Sequence, residues 1–231
     1  MNTNFGPKVI FELPGGIYIT ETVINTWIIM ALLVVVSIIA VRKLERIPKG
    51  SQNATEMTVD MVYKLTEQGM GKDKLGFAPY VGTIMIFLVI ANLWGLIGLR
   101  PPTADVNTTF ALAIMTFFMI HFFGFKRKGL GYLKGFAEPV ALMLPMNLIS
   151  ELATPVSLAF RLFGNIIGGL IIMGLLYGAL AGLSANLGIM IPIFEVGIPV
   201  VFHAYFDIFS GVLQSFIFVM LTMVFVSMAM D

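Results

Sequence analysis

Near the end of the chain His203, Asp207, Ser210 and Gln214 recur at three- and four-residue intervals. At 3.6 residues per turn they share one face of a helix. An imidazole, a carboxylate, a hydroxyl and an amide aligned in apolar surroundings suit a hydrated path for a proton or small cation. An internal His–Asp pair fixing two helices would use the same residues. Earlier in the chain Arg161 shares a helical face with Thr154, Ser157, Asn165 and Gly168, with Gly164 beside them. A guanidinium does not shed its proton, and it costs at least about 2.5 kcal/mol at the centre of a membrane helix. Arg161 therefore needs a partner or a wet cavity, unless it snorkels or pairs inside a bundle.

Two acids flank this pair of polar faces. Glu195 precedes the His203 series and either continues the path or sits among headgroups; Glu151 precedes Arg161 and poses the same choice. Acids on either side of a fixed cation do not make a continuous cation pore, because the central positive charge raises the barrier to direct passage. A carrier that exchanges its ion at each side avoids that barrier. No carrier carboxylate stands near Arg161 in the sequence, so a partner must supply it.

Other chemistry is poorly served. The segment GMGKDK (69–74) lacks the spacing and following Ser or Thr of a phosphate-cradling loop. There is no cysteine, and His121 and His203 are too few and too far apart for a metal-site argument. Ser157 has no nearby base. The expectation is a non-catalytic chain with no cofactor, apart from a transported ion.

These residues need a membrane to position them. Of 231 residues 58% are hydrophobic and 12% charged, where a soluble domain carries about 25% charged residues. Uncharged runs at 22–41, 75–99 and 106–125 are long enough to cross about 30 Å of hydrocarbon. The polar piece 42–74 alternates apolar and charged residues and reads as an amphipathic helix on the membrane surface. Basic loops at 42–50 and 126–134 face the cytoplasm, which leaves the N-terminus and the 100–105 loop outside. No signal-peptide cleavage pattern precedes the first apolar run, so that run is read as a retained helix. After Lys134 only one cation remains, Arg161, within two long apolar stretches near 148–182 and 189–230. The second would run about 60 Å as one helix, so it must tilt or bend at Pro192 and Pro199. The piece 138–150 is too short to span.

The expected architecture is thus a single all-α integral membrane domain with about five membrane helices and amphipathic surface helices. Its layout is an outer segment (1–16), a first span (17–41), a cytoplasmic amphipathic segment (42–76), two spans (77–125), a cytoplasmic or interfacial segment (126–149) and a steeply tilted helical hairpin (150–230). Glycines 164 and 168, then 174, 178 and 182, fall at four-residue steps. Such lanes let helices approach closely, with packing inside the chain the default and a neighbouring subunit the alternative.

PVSLAFRLFGNIIGG (155–169) resembles the signature of subunit a of F-type ATP synthases. The likeness extends to NLWGL (92–96), PPTADVNTT (101–109), PMNLISEL (145–152) and LQSFIFVMLTMVFVSMA (213–229), in the family's order. It implies a membrane stator that passes protons or sodium ions to and from a rotating ring of c subunits, held by peripheral-stalk b subunits in a bacterial inner membrane. Arg161 then matches the arginine that faces each passing c-subunit carboxylate and seals two offset half-channels. Asn165 and Gln214 match polar positions of the outer half-channel, Ser157 a polar position near the arginine, and Glu151 the inner acid. Asp207 falls where many relatives carry His or Glu. Relatives often place an acid or His nine residues after the arginine, and that position here is Leu170, so Asp207, His203 or Glu195 must carry that part of the path. A self-contained secondary transporter would show an internal repeat of the Arg161 region, which is absent from the first half. A structural scaffold would leave a lone central cation flanked by acids unexplained.

Overall fold

A computed structural model describes residues 6–14, 16–42, 44–136, 141–186 and 193–231. Among these, five helical segments are long and apolar enough to cross a membrane: Glu21–Val41, Lys72–Ile97, Val106–Lys128, Leu144–Asn186 and Gly197–Met230. The chain is an all-helical membrane protein, apart from one small hairpin. In that hairpin β1 (Val9–Leu13) pairs antiparallel with β2 (Ile17–Thr20). Its strands are rich in β-branched and aromatic residues, joined through a Pro-Gly-Gly turn sequence.

The first helix, α1 (Glu21–Val41), starts where β2 ends. Most of its side chains are exposed and apolar, as lipid contact requires. Its buried Thr22 donates to Asp105 Oδ2 at 2.7 Å, and Asn25 Nδ2 donates to the Arg100 carbonyl at 2.9 Å. Asp105 also caps α4 (Val106–Lys128) by accepting from the Asn107 N–H. One buried carboxylate thus ties the start of α1 to the start of α4.

The amphipathic segment forms α2 (Ser51–Met70), shorter than the expected 42–74. Its buried Val62, Thr66 and Met70 pack inward, and α2 contacts α3 (Ala78–Leu93) and α8 (Gly211–Met230). Gly82 and Gly69 make this closeness possible: a Cβ on either would meet Val62 or Met223 at 3.0–3.1 Å. The core joins α3, α4 and α8 around Leu88, Ala113, Phe218, Val219 and Met223.

A short helix, α5 (Gly131–Gly135), follows the basic end of α4. Then α6 (Leu144–Asn186) runs 43 residues, about 65 Å at 1.5 Å per residue. Residues 144–150, expected as a separate interfacial piece, are its first turns. Glu138 and Pro139 of that piece lie outside the described residues. The chain returns as α7 (Ile193–His203), a π-helical segment (Ala204–Ser210) and α8. Pro199 lies inside α7 without ending it, and Pro192 lies outside the described residues. The irregularity of the returning arm is therefore the π segment.

Candidate functional site

The hairpin is antiparallel, and three contacts set its register. Tyr177 meets His203, Gly169 meets Phe206, and Asn165 meets Ser210. Continuing that register brings Gln214 to the level of Arg161. Gly169 is required here, since a Cβ would meet that of Phe206 at 3.3 Å.

Arg161 faces away from the bundle and is exposed. No hydrogen bond or ion pair holds it among the described residues. Its helix buries the opposite side, with Leu158, Ala159, Leu162 and Ile166 in the interior. The glycine lane is likewise open: nothing lies within 4 Å of a Cβ placed on Gly164, Gly168, Gly174, Gly178 or Gly182. Packing inside the chain, the default reading of these glycines, is thus replaced by an unoccupied outer surface. Leu158, Leu162, Ile166 and Met173 take the inward face of α6, which leaves these glycines on the outward one.

Toward the C-terminal end of α6 a polar series runs down the hairpin. Tyr177 Oη lies 3.1 Å from His203 Nε2, and His203 Nδ1 lies 2.5 Å from Asp207 Oδ2. Because His203 and Asp207 are four residues apart, the helix itself sets their approach. Asp207 sits within the π segment, where an extra residue in the turn reorients side chains. Next, Ser210 Oγ donates to Asn165 Oδ1 at 3.1 Å, while Asn165 Nδ2 donates to the Ser210 carbonyl at 3.3 Å. Gln214 follows, 6% exposed, with its buried Nε2 unpaired among the described residues. Glu195 belongs to α7, and its side chain lies outside the described part of the structure.

Below Arg161 the other end of α6 borders two adjoining cavities. One of about 290 Å³ is lined by Thr154, Ser157, Arg161, Leu221 and Phe225, among others. The other, about 450 Å³, reaches Lys128, Tyr132, Asn147, Glu151 and Thr154. Both include Ser150, Thr154 and Phe225. Ser157 and Glu151 are thus connected to Arg161 along one hollow face. Glu151 Oε1 lies 3.8 Å from His121 Nε2, whose Nδ1 lies 3.0 Å from Tyr132 Oη. Burial first, and the charge of Glu151 second, push the Tyr132 hydroxyl up to about 12. It therefore stays protonated.

The arrangement is held from behind by a buried amide. Asn92 Nδ2 donates to the Gly211 carbonyl and to Ser215 Oγ, each at 2.9 Å, and Asn92 Oδ1 accepts from Thr103 at 2.6 Å. Gly211 has no side chain because Asn92 Cβ would stand 3.2 Å from it. This lock joins α3, the Pro102–Ala104 turn and the start of α8, just beyond the π segment.

Sequence comparison decides what such a chain is. The family model described as ATP synthase A chain matches residues 23–227, which span every residue named above at the candidate site. The chain belongs to the ATP synthase subunit a family. It is 38% identical over 227 residues to ATP synthase subunit a of Moorella thermoacetica, covering 97% of each chain. It is 41% identical over 217 residues to subunit a 2 of a Bradyrhizobium species, covering 93% of this chain and 91% of that one. It is 36% identical over 256 residues to a relative described as sodium ion specific, from Propionigenium modestum, with 96% and 84% covered. As a subunit a, the protein is a non-catalytic, multi-pass channel subunit of the ATP synthase complex, the ion-translocating stator of its F0 sector.

Sequence reasoning passed over three of the residues gathered here. Tyr177 supplies the α6 hydroxyl that meets the His203–Asp207 pair, about two turns beyond Leu170. His121 and Tyr132 meet Glu151 from two other elements. Tyr177 and His121 are polar groups in apolar runs and Tyr132 an aromatic in a basic segment, and the partners of all three are set by tertiary packing.

Proposed function

We propose that Arg161 separates two offset access paths and exchanges ions with a carboxylate on a ring of c subunits. The observation that carries this is an exposed, unpaired guanidinium on an open glycine face, with a polar series leading away toward each end of α6. A carboxylate docking beside Arg161 would have its pKa lowered and would release its proton. The fixed charge would also block ions from passing directly between the paths. Tyr177, His203, Asp207, Ser210, Asn165 and Gln214 form the outer path. Glu195 extends it toward the surface. Glu151, Thr154 and Ser157 form the inner one.

Orientation follows from charge. The Glu151 cavity includes Lys128 and adjoins the basic 126–134 segment, so it opens to the cytoplasm, with the C-terminus on the same side and the N-terminal hairpin outside. The membrane is a bacterial inner membrane, and peripheral-stalk b subunits hold the stator still. The proton is the transported ion. Imidazole–carboxylate pairs exchange protons, whereas a sodium ion needs a cage of oxygen ligands.

Ion-gradient-driven ATP synthesis in inverted vesicles tests the reading, with the assembled complex as native protein and as Arg161→Ala. Loss of synthesis together with a passive proton leak is expected, without dependence on added sodium. Unchanged synthesis would remove Arg161 from the mechanism. A sodium requirement would overturn the choice of ion alone.

A further inference from the structure

His121 is placed as though for proton exchange, although it lies on α4, away from the hairpin that carries the signature. Its ring is about three-quarters buried, with 23% of the side chain exposed, and Glu151 is similar at 29%. Phe117 packs edge-on against the imidazole with ring centroids 4.1 Å apart. Tyr132 Oη lies 3.0 Å from Nδ1 and Glu151 Oε1 lies 3.8 Å from Nε2, and both partners line the cavity that adjoins the one at Arg161. Both ring nitrogens thus face groups that exchange protons, the Tyr132 hydroxyl on one side and the Glu151 carboxyl on the other.

We propose that His121 is a proton-exchanging residue of the inner path, held by Tyr132 with Nε2 toward Glu151. The inference rests on the assignment of Glu151 to that path. In the direction of ATP synthesis the protonated Glu151 carboxyl gives its proton to the bare Nε2. Glu151 becomes a carboxylate and His121 an imidazolium, which donates through Nδ1 to Tyr132 Oη. The imidazolium then releases the Nε2 proton to water reaching the exposed part of its side chain and returns to its starting tautomer. The reverse sequence loads Glu151 when the motor runs backward. Proton count and charge balance at each step, and no other reactant is needed.

The charged and titratable groups around His121 are few. The titratable groups against it are Tyr132 of α5 and Glu151 of α6; Lys128 of its own helix lines the neighbouring cavity, to which α8 contributes Phe225, Met228 and Ala229. Proton exchange at His121 should be visible as a step in rate against cytoplasmic pH.

ATP-driven proton pumping in inverted vesicles, normalised to assembled complex, is measured against the pH of the medium facing the cytoplasmic side. The native protein should show that step. His121→Gln, which keeps a polar side chain but does not titrate, should lose the step and slow pumping by about tenfold or more. Tyr132→Phe should keep the ring packing and shift the step. A native-like profile in assembled His121→Gln would overturn the proposal. If that variant fails to assemble, an unmoved step in Tyr132→Phe overturns it instead. Glu151→Gln separates the two readings. Unimpaired pumping there would sink the inner-path assignment itself, whereas slow Glu151→Gln beside native-like His121→Gln would sink only the role of His121.

Discussion

Two clusters of the same composition lie on either side of Arg161 along α6. Each contains a tyrosine, a histidine and a carboxylate, yet they are built differently. The Tyr177–His203–Asp207 cluster is compact: its His and Asp are four residues apart on one helical arm, at 2.5 Å. The Tyr132–His121–Glu151 cluster draws on α5, α4 and α6, and its His and Glu stand 3.8 Å apart beside a cavity of about 450 Å³. A pair fixed by one helix keeps its geometry when neighbouring helices shift. A cluster assembled from three elements depends on their packing and stays open to water. On the proposed reading, this difference makes transfer ordered on one side of Arg161 and exchange with a cavity possible on the other.

Breaking each cluster in turn gives the largest expected contrast. Asp207→Asn removes the only acid between His203 and Gln214 and should slow ion-driven ATP synthesis by at least about a hundredfold, the scale of a lost acid–base group. Glu151→Gln, beside a wide cavity where water offers alternative routes, should cost nearer tenfold. Equal losses in the vesicle assay would erase the proposed asymmetry. The buried Asn92 amide supports the compact side alone, because it grips Gly211 and Ser215 just past the π segment. Asn92→Ala leaves the buried Thr103 hydroxyl without its acceptor, at about 1–3 kcal/mol, while Ser215 Oγ keeps its bond to the Gly211 carbonyl. Thermal unfolding in detergent should fall by several degrees, with the transport defect resembling that of Asp207→Asn more than that of Glu151→Gln.

The smallest effect belongs to the C-terminal end of α8, away from both clusters. Lys74 Nζ meets Asp231 Oδ1 at 2.5 Å and Ser227 Oγ at 2.8 Å. The hydrogen bond from Lys74 is the main cause holding the Asp231 carboxyl below its usual value of 3.8. A carboxyl depressed in the folded state contributes stability above its unfolded pKa and loses it as pH falls through the folded value. Asp231→Asn should therefore match the native protein in strongly acidic medium and be only slightly less stable at neutral pH. Thermal scans at both pH values check this, and a large neutral-pH effect would mean that the clamp, and not the Asn92 lock, fixes α8.

The membrane helices were legible because uncharged runs report directly on the solvent. Arg161 stood out for the same reason, as a cation where hydrocarbon tolerates few. Local spacing also brought His203 and Asp207 to one helical face. The π segment was not legible, since AYFDIFS is an unremarkable helical sequence and its extra residue per turn arises from packing against α6. Pro199 attracted the expectation of a bend instead. The glycine lane was visible as a pattern, but which way it faced depended on how α6 distributes Leu158, Leu162 and Ile166 against its neighbours. His121 was weighed only for a metal site and Tyr132 not at all, because their meeting with Glu151 exists only in three dimensions. The β-hairpin was missed although VIFEL and IYIT flank a Pro-Gly-Gly turn, since the apolar content of the second strand merged with the first span.

The central claim, that Arg161 divides two separate aqueous paths, is tested most directly by accessibility from each side of the membrane. The chain has no cysteine, so single cysteines can be placed without background at Thr154, Ser157, His203 and Ser210 in the assembled complex. Each variant is then labelled with a small membrane-impermeant thiol reagent, in right-side-out and in inverted vesicles. The account expects Thr154→Cys and Ser157→Cys to react only from the cytoplasmic face, and His203→Cys and Ser210→Cys only from the outside. Labelling of all four from one face, or of each from both, would contradict it.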